Sequence, residues 1–173
     1  MAAIFAFICS CCGKVHEGSP SFSFDAPWQY ASLSEAQKET MGKLSSDFCT
    51  ITHEEGTDYF IRTTLEIPIH GVTEPFTWGV WVSLSEKSFR RYVETYDNPV
   101  PGEGFFGWVC NNLPVYPNEN SLATDVVIQG GGMRPKLYLH SGSDEDEQVI
   151  LDQLNGISVA RAQELAERAQ HGV

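Results

Sequence analysis

Residues 58–84 read DYFIRTTLEIPIHGVTEPFTWGVWVSL, and the two alternating runs inside this stretch decide the fold. In the first run Tyr59, Ile61, Thr63, Leu65 and Ile67 fall on one face, with Arg62, Thr64 and Glu66 on the other. That period of two is the mark of a half-buried strand. After GVTEP, a second run puts Phe76, Trp78, Val80, Val82 and Leu84 on one face. Trp81 points the opposite way beside Gly79 and Ser83, so another layer must cover it or leave it exposed. Upstream, FCTI (48–51) is separated from the first run by the turn-like HEEGT (53–57), which predicts an antiparallel neighbour.

Working outward, SEKSFRRYVETYD (85–97) is helical. Phe89, Tyr92, Val93 and Tyr96 make one apolar stripe at i, i+3, i+4 and i+7. Prolines and glycines between Asp97 and Gly104 end it. FFGWVCNNL (105–113) has apolar residues on both faces and reads as a central strand. TDVVIQ (124–129) and KLYLH (136–140) predict a hairpin around GGGMRP. An acidic loop, SDEDE (143–147), feeds a short helix over Gln148–Leu154. A last helix follows Ser158, with Val159, Ala162, Ala166 and Ala169 along one side.

On the N-terminal side, residues 3–8 read as a strand and EGSPSFSFDAPW (17–28) as a loop anchored by Phe22, Phe24 and Trp28. Ser32 and Glu35 have capping-box spacing for a helix from Leu33 to Lys43. Strand and helix do not alternate regularly. The expectation is therefore α+β: a mainly antiparallel sheet with inserted and C-terminal helices. Length fits a single domain over 1–173, in which a 1–30 cysteine-bearing segment packs on a 31–170 body.

Composition narrows function mainly by exclusion. A net charge of −12, from 23 acidic and 11 basic residues, repels phosphate backbones and argues against nucleic acid. Solubility alone accounts for such a charge, and a basic protein partner is the interaction it favours. No apolar run reaches the ~18–20 residues that span a bilayer. Met1–Ile8 is apolar but lacks a positive flank, and it reads as a strand rather than an export signal. Five cysteines, an odd count with three of them clustered at one end, do not make a secreted disulfide framework, so a reducing cytoplasm is expected.

The chemical signature is CSCCGKVH (9–16). Cys9 and Cys12 have the C-x-x-C-G spacing of a zinc knuckle, where two thiolates on a tight turn face one ion. His16 is near enough in sequence to be a third ligand. Zinc takes four ligands in a tetrahedron, so one must come from afar: Cys49, Cys110, His53, His70 or His140, with Cys49 taken as the candidate. Cys49 and Cys110 also fit as small buried hydrophobes. A thioredoxin-like redox pair is disfavoured, since no helix opens after the motif. Cys11 is left as an odd thiol.

Other templates are missing. The sequence has no G-x-S-x-G elbow and no H-E-x-x-H helix, and GGG (130–132) lacks the Lys-Ser/Thr of a phosphate loop. Glu66 is the least unreasonable acid–base group, and a solvated strand residue is the simpler account of it. Trp78, Trp81, Phe105, Phe106 and Trp108 are assigned to the core.

FICSCCGKVHEGSP, LSSDFCTI, YFIRTTLEIPI, EPFTWGVWVSLSEKSF and FGWVCNNLPVYP, in this order, resemble the bacterial domain-of-unknown-function family numbered 2199, over roughly residues 5–165. The resemblance implies an opening F-x-C-x-x-C-G-x-x-H that aligns Cys9, Cys12, Gly13 and His16, and later cysteines at Cys49 and Cys110. It implies a bacterial cytoplasmic setting and brings no activity. Two function classes follow, beside a third account in which no metal is bound and the cysteines are merely packed or free. The first is a non-enzymatic binding module with a structural zinc site, in its most specific form an acidic inhibitor or immunity-type protein. The alternative is a hydrolase-like enzyme whose zinc keeps one position open for water.

Overall fold

A computed structural model describes residues 3–117, 121–142 and 147–172. The chain begins with a small hairpin, β1 (Ala6–Ile8) and β2 (Val15–Glu17), followed by β3 (Ser21–Ser23), α1 (Trp28–Ala31) and α2 (Glu35–Met41). Four strands come next: β4 (Gly42–Leu44), β5 (Phe48–Thr52), β6 (Thr57–Ile67) and β7 (Phe76–Leu84). Then come α3 (Glu86–Glu94), β8 (Gly104–Val109), β9 (Ala123–Val127), β10 (Lys136–Leu139), α4 (Gln148–Asn155) and α5 (Val159–His171). The class is α+β, mostly antiparallel, as the alternating runs predict.

β6 and β7 form the spine, paired antiparallel from Tyr59 opposite Leu84 to Ile67 opposite Phe76. Their inward residues are those the alternation picks out: Ile61, Leu65, Ile67, Phe76, Val80 and Val82 have no accessible surface. From β7 the ladder continues antiparallel through β8, β9 and β10. It then returns to β6 by a parallel contact at Lys136 opposite Thr64, where Thr64 N–H donates to Pro135 O at 2.9 Å. The five strands β6–β10 thus close into a ring, with β3 and the β5–β4 hairpin extending from it.

One large core cluster fills the inside, running from Phe5 and Phe7 in the N-terminal hairpin to Leu165 and Ala166 in α5. A second, smaller cluster lies on the back of the spine. There Cys49, Ile51, Phe60, Trp81 and Cys110 are covered by Phe24, Tyr30, Leu33 and Met41. This is the layer that the orientation of Trp81 requires. Its indole Nε1–H donates to Phe24 O at 3.0 Å.

Some local expectations need correction. The capping box lies two residues later than expected: Ser34 Oγ accepts from Gln37 N–H, and Gln37 Oε1 accepts from Ser34 N–H at 3.0 Å. The helix therefore starts at Glu35 and stops at Met41, because residues 42–44 pair with β5 instead. The 17–28 stretch is not all loop, since Ser21–Ser23 pair parallel with Thr77–Gly79. Trp78 and Trp81 are core, and Phe105 packs against the large cluster, but Phe106 and Trp108 stand half-exposed on the outer face of β8. Both residues alternate outward on β8, opposite in direction to the inward-packed Phe105 and Gly107. Of the expected acidic loop (143–147), residues 143–146 lie outside the described residues, and α4 begins after Glu147.

Candidate metal centre

The knuckle residues sit on the turn joining β1 to β2. Cys9 N–H donates to Lys14 O and Gly13 N–H to Cys9 O, both at 2.9 Å, which closes the turn. Gly13 has φ +69°, a conformation that L side chains rarely adopt, so glycine is what lets the chain double back here. The register places Phe7 opposite His16, and the two rings stack with centroids 5.1 Å apart and an interplanar angle of 21°. That stack orients the imidazole, and His16 Nε2 lies 3.7 Å from Cys12 Sγ.

The far partner comes from the opposite end of the chain. Cys9 Sγ lies 3.2 Å from Nε2 of His171, the last residue of α5 and 162 positions away. Cys9, Cys12 and His171 offer ligand atoms within 4.8 Å of one another. α5 reaches the turn through a row of residues at i, i+4 and i+8. Gln163 Nε2–H donates to Ile8 O at 3.2 Å. Glu167 accepts from Ser10 N–H at 2.6 Å and from Ser10 Oγ–H at 2.7 Å. His171 completes the row.

The electrostatics follow from these contacts. Burial of the Cys9 sulfur opposes ionisation, but donors at the Cys12 and Cys11 amides, with help from the Cys12 side chain and His171, outweigh it. The thiol is brought down from 9.0 to about 6. Such a thiol is largely thiolate near neutrality, the form that binds metal and attacks electrophiles. Cys11 goes the other way, raised by desolvation and by the negative neighbours Cys9 and Glu167. Glu167 is lowered, chiefly by the Ser10 amide it accepts.

The structure therefore brings Cys9 and Cys12 together, sets His16 beside Cys12, and does not bring Cys49 to them. Cys49 is buried in the second cluster near Cys110, where loss of solvent pushes its thiol up to about 12. It is a packing residue there. The other distant candidates are also engaged elsewhere. His53 Nε2 is 2.9 Å from Asp58, His140 Nε2 is 2.8 Å from Asp125, and His70 Nε2 is 2.8 Å from Asn155 O. Glu66 pairs with Lys136 at 2.7 Å on the sheet, in a different part of the fold. Sequence reasoning missed His171. The signal available was the polar row Gln163, Glu167 and His171 beside the alanine stripe.

An α+β protein with a ring of five strands and a Cys/His cluster joining its two ends is the class these features define. Residues 8–157 match the family described as "Uncharacterized protein conserved in bacteria (DUF2199)", and the chain belongs to it. Cys9, Cys12, His16 and Cys49 fall within the matched range and His171 beyond it. No curated protein and no solved structure matches the chain. Among the described residues, no helix is long and apolar enough to cross a membrane.

Proposed function

We propose that the protein is a non-enzymatic binding module whose ends are stapled by one structural zinc ion, held by Cys9, Cys12, His171 and His16. The observation that carries this reading is the convergence of Cys9, Cys12 and His171 from opposite ends of the chain. Tetrahedral zinc with Zn–S of about 2.3 Å and Zn–N of about 2.0 Å sets its S···N edges at about 3.5 Å. The Cys9–His171 and Cys12–His16 separations, 3.2 and 3.7 Å, lie close to that edge. Four protein ligands make a closed site, which suits structure rather than turnover. The net charge of −12 supports a basic protein as the partner, and an inhibitor or immunity-type protein is the most specific form of this reading. Five free cysteines suit a reducing cytoplasm.

The test is the metal content of protein purified without added zinc, with Cys9→Ser and His171→Ala alongside. About one equivalent is expected in the parent and loss of most of it in both variants. Less than about a tenth of an equivalent, with no change in melting on chelation, rejects the zinc site.

One observation favours the open-site enzyme as a second reading: the tight group comprises three residues, and His16 stands beside Cys12 alone. Three ligands leave a position where a metal could activate water. His16→Ala separates the two readings. A closed site loses affinity on this change, whereas an open one keeps its zinc.

A further inference from the structure

Outside the metal centre, the outer face of β8–β10 gathers exposed aromatic side chains. Phe106, Trp108 and Tyr138 are 50%, 44% and 52% exposed, and they come from strands that are two steps apart in one ladder. Phe106 is registered opposite Asp125, and Asp125 opposite Tyr138, so a carboxylate stands between two aromatic rings on one face. Phe106 packs edge-on to Trp108 at 5.4 Å and lies 5.5 Å from the His140 ring. Asp125 accepts or shares one hydrogen bond with His140, and a carboxylate has room for about four. Beside Trp108 the face runs into a groove of about 770 Å³ that Asp58, Glu86 and Ser88 also line.

Contiguous exposed aromatic surface on a soluble protein usually marks a contact site. Here its chemistry selects the occupant. A guanidinium is planar, stacks on aromatic faces and pairs side-on with a carboxylate. Neighbouring rings on both sides of Asp125 supply the stacking surface, at the ~4.5–5.5 Å spacing of directly opposed residues. Asp58 and Glu86 of the groove are already paired with His53 and Arg90, so the attraction for a cationic segment comes from Asp125 and the net charge of −12, which also repels phosphate.

We propose that this face binds an arginine-bearing segment of a basic protein, with Asp125 taking the guanidinium between Phe106 and Tyr138. The inference rests on the basic-partner reading above and assigns it a surface. The probes are blocked tetra-arginine and tetra-lysine peptides, cellohexaose, and cytochrome c as a folded basic protein, each titrated by calorimetry. Asp125→Asn, Phe106→Ala and Tyr138→Ala are compared with Glu39→Gln, the same charge change on exposed helix α2. Tetra-arginine should bind saturably and more tightly than tetra-lysine. Each face variant should weaken it about tenfold, the equivalent of one lost charge-assisted contact. Glu39→Gln should change it less than about twofold. Equal weakening by Glu39→Gln and Asp125→Asn overturns the assigned face, as does binding of cellohexaose without tetra-arginine. If cytochrome c binds in a salt-sensitive way that all three face variants leave intact, the face is wrong and the basic-partner reading stands. If neither cytochrome c nor the peptides bind, the basic-partner reading falls with it.

Discussion

At the scale of single residues, Cys9 couples ionisation to folding. Its thiol is held near 6 in the folded chain against an ordinary 9.0, so the folded state binds fewer protons than the unfolded state between these values. For the metal-free protein, stability should therefore rise with pH across that window. The contribution is fully present above about 9 and lost as pH falls through about 6. Thiolate absorbance in the ultraviolet checks this: one sulfur should titrate near 6 in the folded protein, and Cys9→Ser should abolish that step. A first titration above 8, as for an ordinary thiol, would contradict the donor arrangement around Cys9. Gly107 is decisive in a different way. A Cβ there would meet the Val82 side chain and lie 2.8 Å from Ser83 O, so β8 can approach β7 only because the position is bare. Gly107→Ala should cost about 1–3 kcal/mol in chemical denaturation through overpacking, and a neutral result would show that the β7–β8 contact is looser than described.

At the scale of elements, α2 shows how local chemistry sets a boundary. Ser34 and Gln37 cap each other reciprocally, and the helix holds Met41 against the cluster around Trp81. Ser34→Ala should cost about 1 kcal/mol in urea denaturation, and Ser32→Ala, at the serine two residues upstream, much less. The reverse order would restore the sequence-based register. The spine, the β9–β10 hairpin, α3 and α5 were legible because each rests on a local period or turn. Three features were not. β3 is three residues long and pairs parallel with a strand more than fifty residues on, so neither period nor turn announces it. The return of β10 to β6 rests on a single registered parallel pair, Lys136 with Thr64. His171 reaches Cys9 only after α5 has docked, and no spacing motif relates residues 162 apart. Two of the residues singled out as ligands, Cys9 and Cys12, were readable from the knuckle spacing and meet in the candidate site. Cys49 is the distant ligand the sequence nominates, although burial as a small hydrophobe is its default account, and it lies with Cys110 in the second cluster.

At the scale of the whole molecule, the question is whether the two ends belong to one cooperative unit. The large core cluster includes Phe5 and Phe7 from the first hairpin together with Ala162, Leu165 and Ala166 from the last helix. The hairpin and α5 meet again at Ser10–Glu167 and Ile8–Gln163. Melting the hairpin or α5 would expose core that the two share, so one cooperative unit is the expected behaviour. A metal held by Cys9, Cys12 and His171 binds only once these ends are joined, and its effect on stability then follows mass action. At free zinc one hundred times the dissociation constant, stabilisation is about 2.7 kcal/mol. For a chain of this size that raises the melting midpoint by about 5–10 °C. Calorimetry with and without zinc should show one transition in each case, displaced upward by the metal. His171→Ala should remove the displacement while leaving a single transition, since the apolar face of α5 remains packed. Two transitions in the metal-free protein would mean that the hairpin and α5 form a separate unit joined to the body only by the ion. A displacement that survives His171→Ala would move the metal to another set of ligands.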